Sequence, residues 1–474
     1  MKRNGNEILA KPAKAGLFYI VTNVLTKAVT LLFSPIYTRL LPPSEYGIYS
    51  LYITWCGILA VFIGLGISGG AVYRGLGKFS HREPDLLSSA LGILSCVFLI
   101  ILFIALALGG VLPKLTGLSW HVNFIMLGEA LLNSGEAVFF SYKRYRYAYG
   151  EICVINLLYT VLSHGIAILL INLTSLGALA RIYSSFAVTA ALILPRLITH
   201  LRAGNMFSKP IWKYLLKLSV PLLPNAIALT LIAQSDKIMI KHMLGASELG
   251  KYSLAYSVGF MITVITGALY SAVQPWIMRK LNVGKLDIAA SFVKKLIFLS
   301  CSGLLIFLLF VPEIFGIIAT AEYMDAELSV YPLAVAGLLQ FIANILSANI
   351  IHGEKTATLS VFSLSALAVN LLLNVMLLPS FGYTVASFTT ALAYGMLVFL
   401  EYVYLKRENR EGIIDGKTLT PLFLLFFALP IYFLKSVLIS RLFLALAILL
   451  ISFPTVIRTA REYMLRRLDA ARTK

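Results

Sequence analysis

The feature that most constrains this chain is a series of long apolar runs joined by very short connections. A helix needs about 20 mostly apolar residues to cross a bilayer. Fourteen stretches approach or exceed that length: 15–37, 46–73, 86–112, 120–141, 152–172, 176–199, 214–236, 248–276, 292–312, 328–351, 357–378, 382–405, 419–435 and 441–457. In lipid every backbone polar group needs a partner within the segment, so such runs fold as helices. The expected fold is therefore all-α, a polytopic membrane protein of about 14 transmembrane helices. Only 13% of residues are charged and 59% are hydrophobic, against about 25% charged in a soluble domain. The longest connection, Leu201 to Lys213, has no room for a soluble catalytic domain. The cysteines Cys56, Cys96, Cys153 and Cys301 sit inside apolar runs, without metal or redox spacing. Met1 to Lys14 is polar and basic with no small-residue cleavage signal, so the first span is expected to stay uncleaved.

The formal charge of +19 suggests nucleic acid until the charges are placed. Lys and Arg are retained on the cytoplasmic side of a membrane. With the N-terminus inside, 31 of the 40 Lys and Arg fall on inner segments and 7 on outer ones. That asymmetry puts both termini in the cytoplasm and explains the charge without nucleic acid. The basic run Tyr142 to Tyr149 follows a span on the inner side and reads as an aromatic belt with lipid-binding cations. The tail from Arg458 to Lys474 reads as a surface helix.

Leu41 to Leu51 recurs at a shift of 203 as Leu244 to Leu254, with seven of eleven positions identical. Each copy is a polar turn between apolar runs, and six spans separate them, so both lie on the outer face. This is a parallel repeat, with lobes 1–205 and 206–410 and an appended segment 411–474 holding spans thirteen and fourteen. The uncharged residues of that pair, Leu419 to Leu434 and Leu442 to Ile457, suggest either a groove for a lipid tail or a packing surface.

The stretch Thr38 to Leu51 resembles the first outer turn of the polysaccharide transport proteins. So do Leu218-Ser219-Val220-Pro221-Leu222-Leu223-Pro224, Asp236-Lys237-Ile238-Met239-Ile240, and Gly250-Lys251-Tyr252. These proteins belong to the multidrug/oligosaccharidyl-lipid/polysaccharide exporter superfamily and include the O-antigen flippases. Lys237 stands where an arginine would also fit the pattern. The resemblance implies a non-enzymatic transporter without cofactor in the bacterial cytoplasmic membrane. It implies movement of undecaprenyl-pyrophosphate-linked oligosaccharide for O-antigen, capsule or exopolysaccharide. The implied partners are that lipid-linked oligosaccharide, membrane lipids, and polysaccharide polymerase and chain-length proteins. The chain holds no G-x-x-x-x-G-K-[ST] run.

Polar residues at bilayer depth are costly and commonly line a cavity. Asn23, Lys27, Thr30 and Ser34 share one face of span one, and Glu129, Asn133 and Glu136 one face of span four. His164 lies on span five and Arg181 near the start of span six. In the second lobe Gln340 and Asn344 on span ten, with Asn370 and Asn374 on span eleven, form neutral stripes. A pyrophosphate needs cations, so Lys27, with Arg181 in support, is the expected headgroup contact. Asn23, Gln340, Asn344, Asn370 and Asn374 complete the expected substrate cavity. Glu129, Glu136, His164 and Asp236 are the expected ion-coupling residues. Each has a structural reading beside the functional one. The stripes serve equally as interhelical hydrogen bonds. Glu129 or Glu136 could pair with Lys27 or Arg181, and Arg181 could reach outward to the interface. Asp236-Lys237 would be an interfacial ion pair at an outer helix end. Two competing functions are an ion-coupled multidrug-type antiporter of the same superfamily and a membrane polymerase or glycosyltransferase. The latter usually needs a large outer catalytic loop, which is missing here.

Overall fold

Every regular element among the described residues is a helix. The computed structural model describes residues 5–267, 269–270, 274, 286–353, 355–408, 414 and 441–455. Among them, nine helices are long and apolar enough to cross a membrane, at the places expected for spans two, three, five to seven and nine to twelve. Span one is the helix Gly5–Leu40 (α1). Span four is Trp120–Tyr145 (α6), where Glu129, Asn133 and Glu136 lower the apolar character below that of the nine. Span fourteen is seen as the apolar helix Arg441–Thr455 (α17). Span thirteen, the tail from Arg458 and the Asn23 side chain lie outside the described residues.

Two expectations need correction. The run 248–276 is not one continuous helix. Ala246–Gly259 (α11) ends in a turn at Phe260-Met261, and helix resumes over residues 262–267. The helix expected to end near 236 continues. Lys209–Ser219 (α9) leads through a short 3-10 turn into Leu223–Met243 (α10), so Asp236-Lys237 has about two more helical turns after it.

The chain divides into two compact units. The first comprises Met1–Leu254, Ala319–Asp325 and Thr356–Thr389. It contains α1, Pro43–Gly64 (α2), the short Ala71–Lys78 (α3), Glu83–Ala107 (α4), Val111–Thr116 (α5), α6, Tyr149–Leu173 (α7), Ala178–Arg202 (α8), α9, α10 and Thr356–Phe381 (α15). Here α7 packs on α1 and α8, α6 on α2 and α8, and α10 between α2 and α15. One apolar core, including Ile63, Leu76, Leu86, Leu91, Phe139, Ile193 and Leu215, ties α2, α4, α6, α8 and α9 together. The helix α15 is arranged for lipid. In α15 the face carrying Ser363, Asn370 and Asn374 is buried, while Val361, Leu364, Leu372, Val375 and Met376 are exposed. The basic run at the end of α6 is partly neutralised by ion pairs from Lys143 to Glu151 (2.6 Å) and Arg146 to Glu83 (2.5 Å).

The two copies of the repeated turn meet inside this unit. Gly47 and Gly250 lie backbone to backbone: a Cβ on Gly47 would strike the Ala246 carbonyl, and one on Gly250 the Pro43 carbonyl. One turn further, Ser50 Oγ and Ser253 Oγ are 2.6 Å apart. The shift of 203 exchanges the Gly47–Ala246 and Gly250–Pro43 approaches, and it is the separation of Ser50 from Ser253, as a local two-fold requires. The ends are sealed reciprocally. Tyr323 Oη donates to the Leu41 carbonyl (2.9 Å) at the end of α1. His242 Nε2 meets the Leu115 carbonyl (3.0 Å) at the end of α10.

The second unit comprises Ala255–Ile318, Ala326–Lys355 and Thr390–Lys474. It holds Leu286–Leu309 (α12), Val311–Ile318 (α13), Glu327–His352 (α14), most of Thr384–Arg407 (α16) and α17. Arg441, at the start of α17, is bound to Glu313 of α13 (2.7 Å). Over residues 329–350 of α14 every residue is buried except Gln340, Asn344 and Ser347.

Candidate functional site

Lys27 is exposed on α1 and forms no ion pair among the described residues. The expected bond to Glu129 or Glu136 is not made. Glu129 is buried on α6 and accepts from two hydroxyls instead, Ser185 Oγ (2.6 Å) and Tyr52 Oη, while Glu136 is half-buried. Tyr159 Oη meets the same Ser185 Oγ at 3.1 Å. A second lysine within a span, Lys237, is buried on α10. Lys237 Nζ donates to Gln234 Oε1 (3.1 Å), which also accepts from Thr54 of α2 (3.3 Å).

Asp236 is turned about 100° from Lys237 around the helix, as adjacent helical residues are. It is fully buried against α15, not at an interface. Its Oδ1 accepts from Asn374 Nδ2 (2.7 Å) and its Oδ2 from Tyr252 Oη (2.9 Å). Thr389 Oγ1 donates to Asn374 Oδ1 (2.6 Å). Asn370 Oδ1 lies 3.4 Å from Asn374 Nδ2, and its own buried Nδ2 has no partner. The structure thus joins three residues singled out in the sequence, Asp236, Asn370 and Asn374. It adds Tyr252 and Thr389, which no apolar-run analysis marks. Tyr252 is legible in the sequence as an identical repeat position and within the Gly250-Lys251-Tyr252 segment, but not as a partner of Asp236.

Arg181 does not reach outward. It is buried in the first turn of α8 with its Cζ 3.8 Å from the Tyr37 ring centroid, 3.7 Å from Tyr49 and 5.4 Å from Tyr46. Desolvated cation–π contacts of this kind contribute about 2 kcal/mol or more. Its Nη1 is buried without a hydrogen-bond partner. The same Tyr37 joins His164, with Oη 3.0 Å from Nδ1, and Phe33 stacks on the imidazole at 4.8 Å. The start of α8 is held by Glu45 of the repeated turn, whose Oε2 accepts from the Ala178 amide (2.7 Å).

In the second unit Gln340 Nε2 donates to Tyr394 Oη (3.2 Å), and Asn344 is half-buried one turn on. Two turns along from Gln340, Ser347 Oγ donates to Glu401 Oε1 (2.7 Å). Glu401 was not among the sequence candidates, although a carboxylate inside an apolar run is itself the signal.

Residues 13–281 match a family described as polysaccharide biosynthesis protein. The chain is 24% identical over 407 residues to a probable low-salt glycan biosynthesis flippase, Agl15, of Haloferax volcanii, covering 83% of each. Its fold is similar to that of the lipid II flippase MurJ in an inward closed conformation. That match has a TM-score of 0.66 and 14% identity, covering 94% of this chain and 99% of the other. It is also similar to an inward-facing multidrug resistance MATE family transporter of the MOP superfamily. There the TM-score is 0.61 and the identity 14%, with 84% of this chain and 99% of the other covered. Multi-helix membrane architecture, polar groups buried against one another at helix contacts, and a family match over more than half the sequence agree: the chain belongs to the polysaccharide biosynthesis protein family.

Proposed function

We propose that this protein is a flippase that carries lipid-linked oligosaccharide across a membrane for surface polysaccharide biosynthesis. The observation that carries the reading is Lys27, a cation within a span that is exposed and forms no ion pair among the described residues. A cation at bilayer depth is costly unless an anion joins it, and the diphosphate between lipid and glycan is one. Lys27 is the primary contact, and Lys237 is a second lysine within a span, buried on α10. Arg181, clamped by tyrosines, supports the site by fixing α8 beside the repeated turn. The resemblance of Thr38 to Leu51 favours an undecaprenyl-pyrophosphate carrier with an O-antigen, capsule or exopolysaccharide unit. The Lys and Arg asymmetry favours a cytoplasmic membrane with both termini inside. The names of the Haloferax volcanii relative and of MurJ point the same way. Polymerase and chain-length proteins are the partners such a carrier would hand its product to.

The repeat favours alternating access by lobes 1–205 and 206–410, with the Gly47–Gly250 contact parting to release the glycan. Among the expected coupling residues, Asp236 has the strongest support, because it is a buried carboxylate whose partners come from α11 and α15, with Thr389 of α16 bonded in turn to Asn374. Glu129 follows, then Glu136 and His164. Gln340, Asn344, Asn370, Asn374 and Asn23 remain candidates for lining the path of the sugar.

The test uses vesicles containing the purified protein and a fluorescent polyprenyl-pyrophosphate oligosaccharide, read with an impermeant quencher. Lys27→Ala should insert normally and flip about 10- to 100-fold more slowly, the loss expected of one charged hydrogen bond. Lys27→Arg should keep part of the rate. Because no carboxylate is paired with Lys27, changing Glu129 and Glu136 to Gln should not rescue Lys27→Ala. An unchanged rate for Lys27→Ala would remove Lys27 from the site.

A further inference from the structure

Glu401 lies inside α16, almost two turns before its end at Arg407, with apolar neighbours Leu397, Val398 and Leu405 all buried. Its side chain is 1% exposed. One carboxyl oxygen accepts from Ser347, and the other, Oε2, is buried with no hydrogen-bond partner. Glu401 forms no ion pair among the described residues. Among the described residues, the groups that act on it are Ser347 of α14, by hydrogen bond, and Tyr270 of the segment after α11, through its charge. A carboxylate anion so enclosed would cost several kcal/mol without a cation.

A second, independent observation concerns access. From residue 329 to residue 350 of α14 the three positions that are not buried are Gln340, Asn344 and Ser347. They are spaced four and three, so they form one strip along the helix. All three are polar, and the strip ends at Ser347, the residue that holds Glu401. The contacts Gln340–Tyr394 and Ser347–Glu401 have the same separation of 54 residues. The helices α14 and α16 are therefore bonded in one register at both ends of the strip.

We propose that Glu401 is a proton-binding site, reached along the Gln340–Asn344–Ser347 strip, that controls the packing of α14 on α16. A proton adds to Oε2, turning the anion into a neutral acid that needs no cation. Loss of that proton leaves an unpaired charge in the helix contact, which is relieved only if the contact opens to water. One carboxyl group and the Ser347 hydroxyl suit a proton. A metal cation of this charge class takes about six oxygens, which the site does not supply. This proton site is additional to Asp236 and does not depend on the identity of the transported molecule.

The test is infrared difference spectroscopy of the purified full-length protein in lipid nanodiscs, titrated from about pH 5 to about pH 9. The wild-type protein should show the carbonyl stretch of a protonated carboxylic acid that is missing in Glu401→Gln and that fades as pH rises. Ser347→Ala, which keeps Glu401 but removes its hydrogen-bond donor, should move that same band and its titration midpoint. The Ser347 variant identifies the band even where Glu401→Gln folds poorly. A spectrum unaffected by either substitution means that Glu401 stays ionised and overturns the proposal. A Glu401 band that does not change over the whole titration means a permanently neutral structural acid and overturns it equally. Neither result touches the Lys27 reading, which is tested by flipping rate.

Discussion

Arg181 shows how a side chain can be singled out for one role and built for another. As a cation inside an apolar run it is a natural phosphate ligand. In the structure its planar guanidinium fills a slot between Tyr37 and Tyr49, and a lysine cannot lie flat in that slot. Arg181→Lys is therefore expected to destabilise the protein by about 2 kcal/mol, seen as a lower unfolding midpoint of the purified chain. Lys27→Arg, at an exposed position, should leave that midpoint unchanged. Equal midpoints for the two conservative exchanges would contradict the clamp. Glu129 carries the same lesson. The helical spacing in the sequence placed it on a polar face, but its partners, Tyr52 and Ser185, come from α2 and α8. No spacing along α6 could name them.

Among the elements, helices were legible wherever an apolar run was long, because a bilayer leaves the backbone no other solution. What misled was charge. Asp236-Lys237 looks like the end of a run, and so α10 was expected to stop there. It continues to Met243 because both charged groups find polar partners: Lys237 bonds Gln234 within α10, and Asp236 accepts from Tyr252 of α11 and from Asn374 of α15, which lies far away in sequence. The break at Phe260-Met261 has no proline or polar cluster to announce it. Glu401 was overlooked because it stands alone, without a stripe of its own. The helix α2 offers a controlled test of how closely elements approach. Gly47 has no room for a methyl group against Ala246, whereas Gly57, on the same helix, has nothing within 4 Å. Gly47→Ala should cost about 1–3 kcal/mol from overpacking. Gly57→Ala should be neutral or stabilise by up to about 1 kcal/mol. Unfolding midpoints of the two variants check this, and a tolerated Gly47→Ala would mean that α2 and α11 are not in close contact.

For the whole molecule, the meeting of the two repeated turns is a switch that can be held shut. With the native cysteines replaced, Ser50→Cys and Ser253→Cys together should form a disulfide under oxidant, since the parent oxygens are 2.6 Å apart. Oxidation should stop lipid-linked oligosaccharide transport in vesicles and reductant should restore it; undiminished transport by the cross-linked protein would show that this contact never opens. The same contact has the form of an interface between two like subunits. Two identical surfaces that fit one another are what a two-fold dimer of separate subunits presents. A half-length chain pairing through this turn would become one chain of this kind by fusion of two gene copies. Within one chain each copy is free to change on its own. Gly47 and Gly250, on the axis, are still the same residue, but Ile48 corresponds to Lys251, which now binds Asp325. Tyr49 and Tyr252 are still both tyrosine, yet one lies flat against a guanidinium and the other donates to a carboxylate. A symmetric pair has thereby become a protein with a cation clamp in one half and an acid site in the other, which is what a carrier needs if its two halves are to do different work.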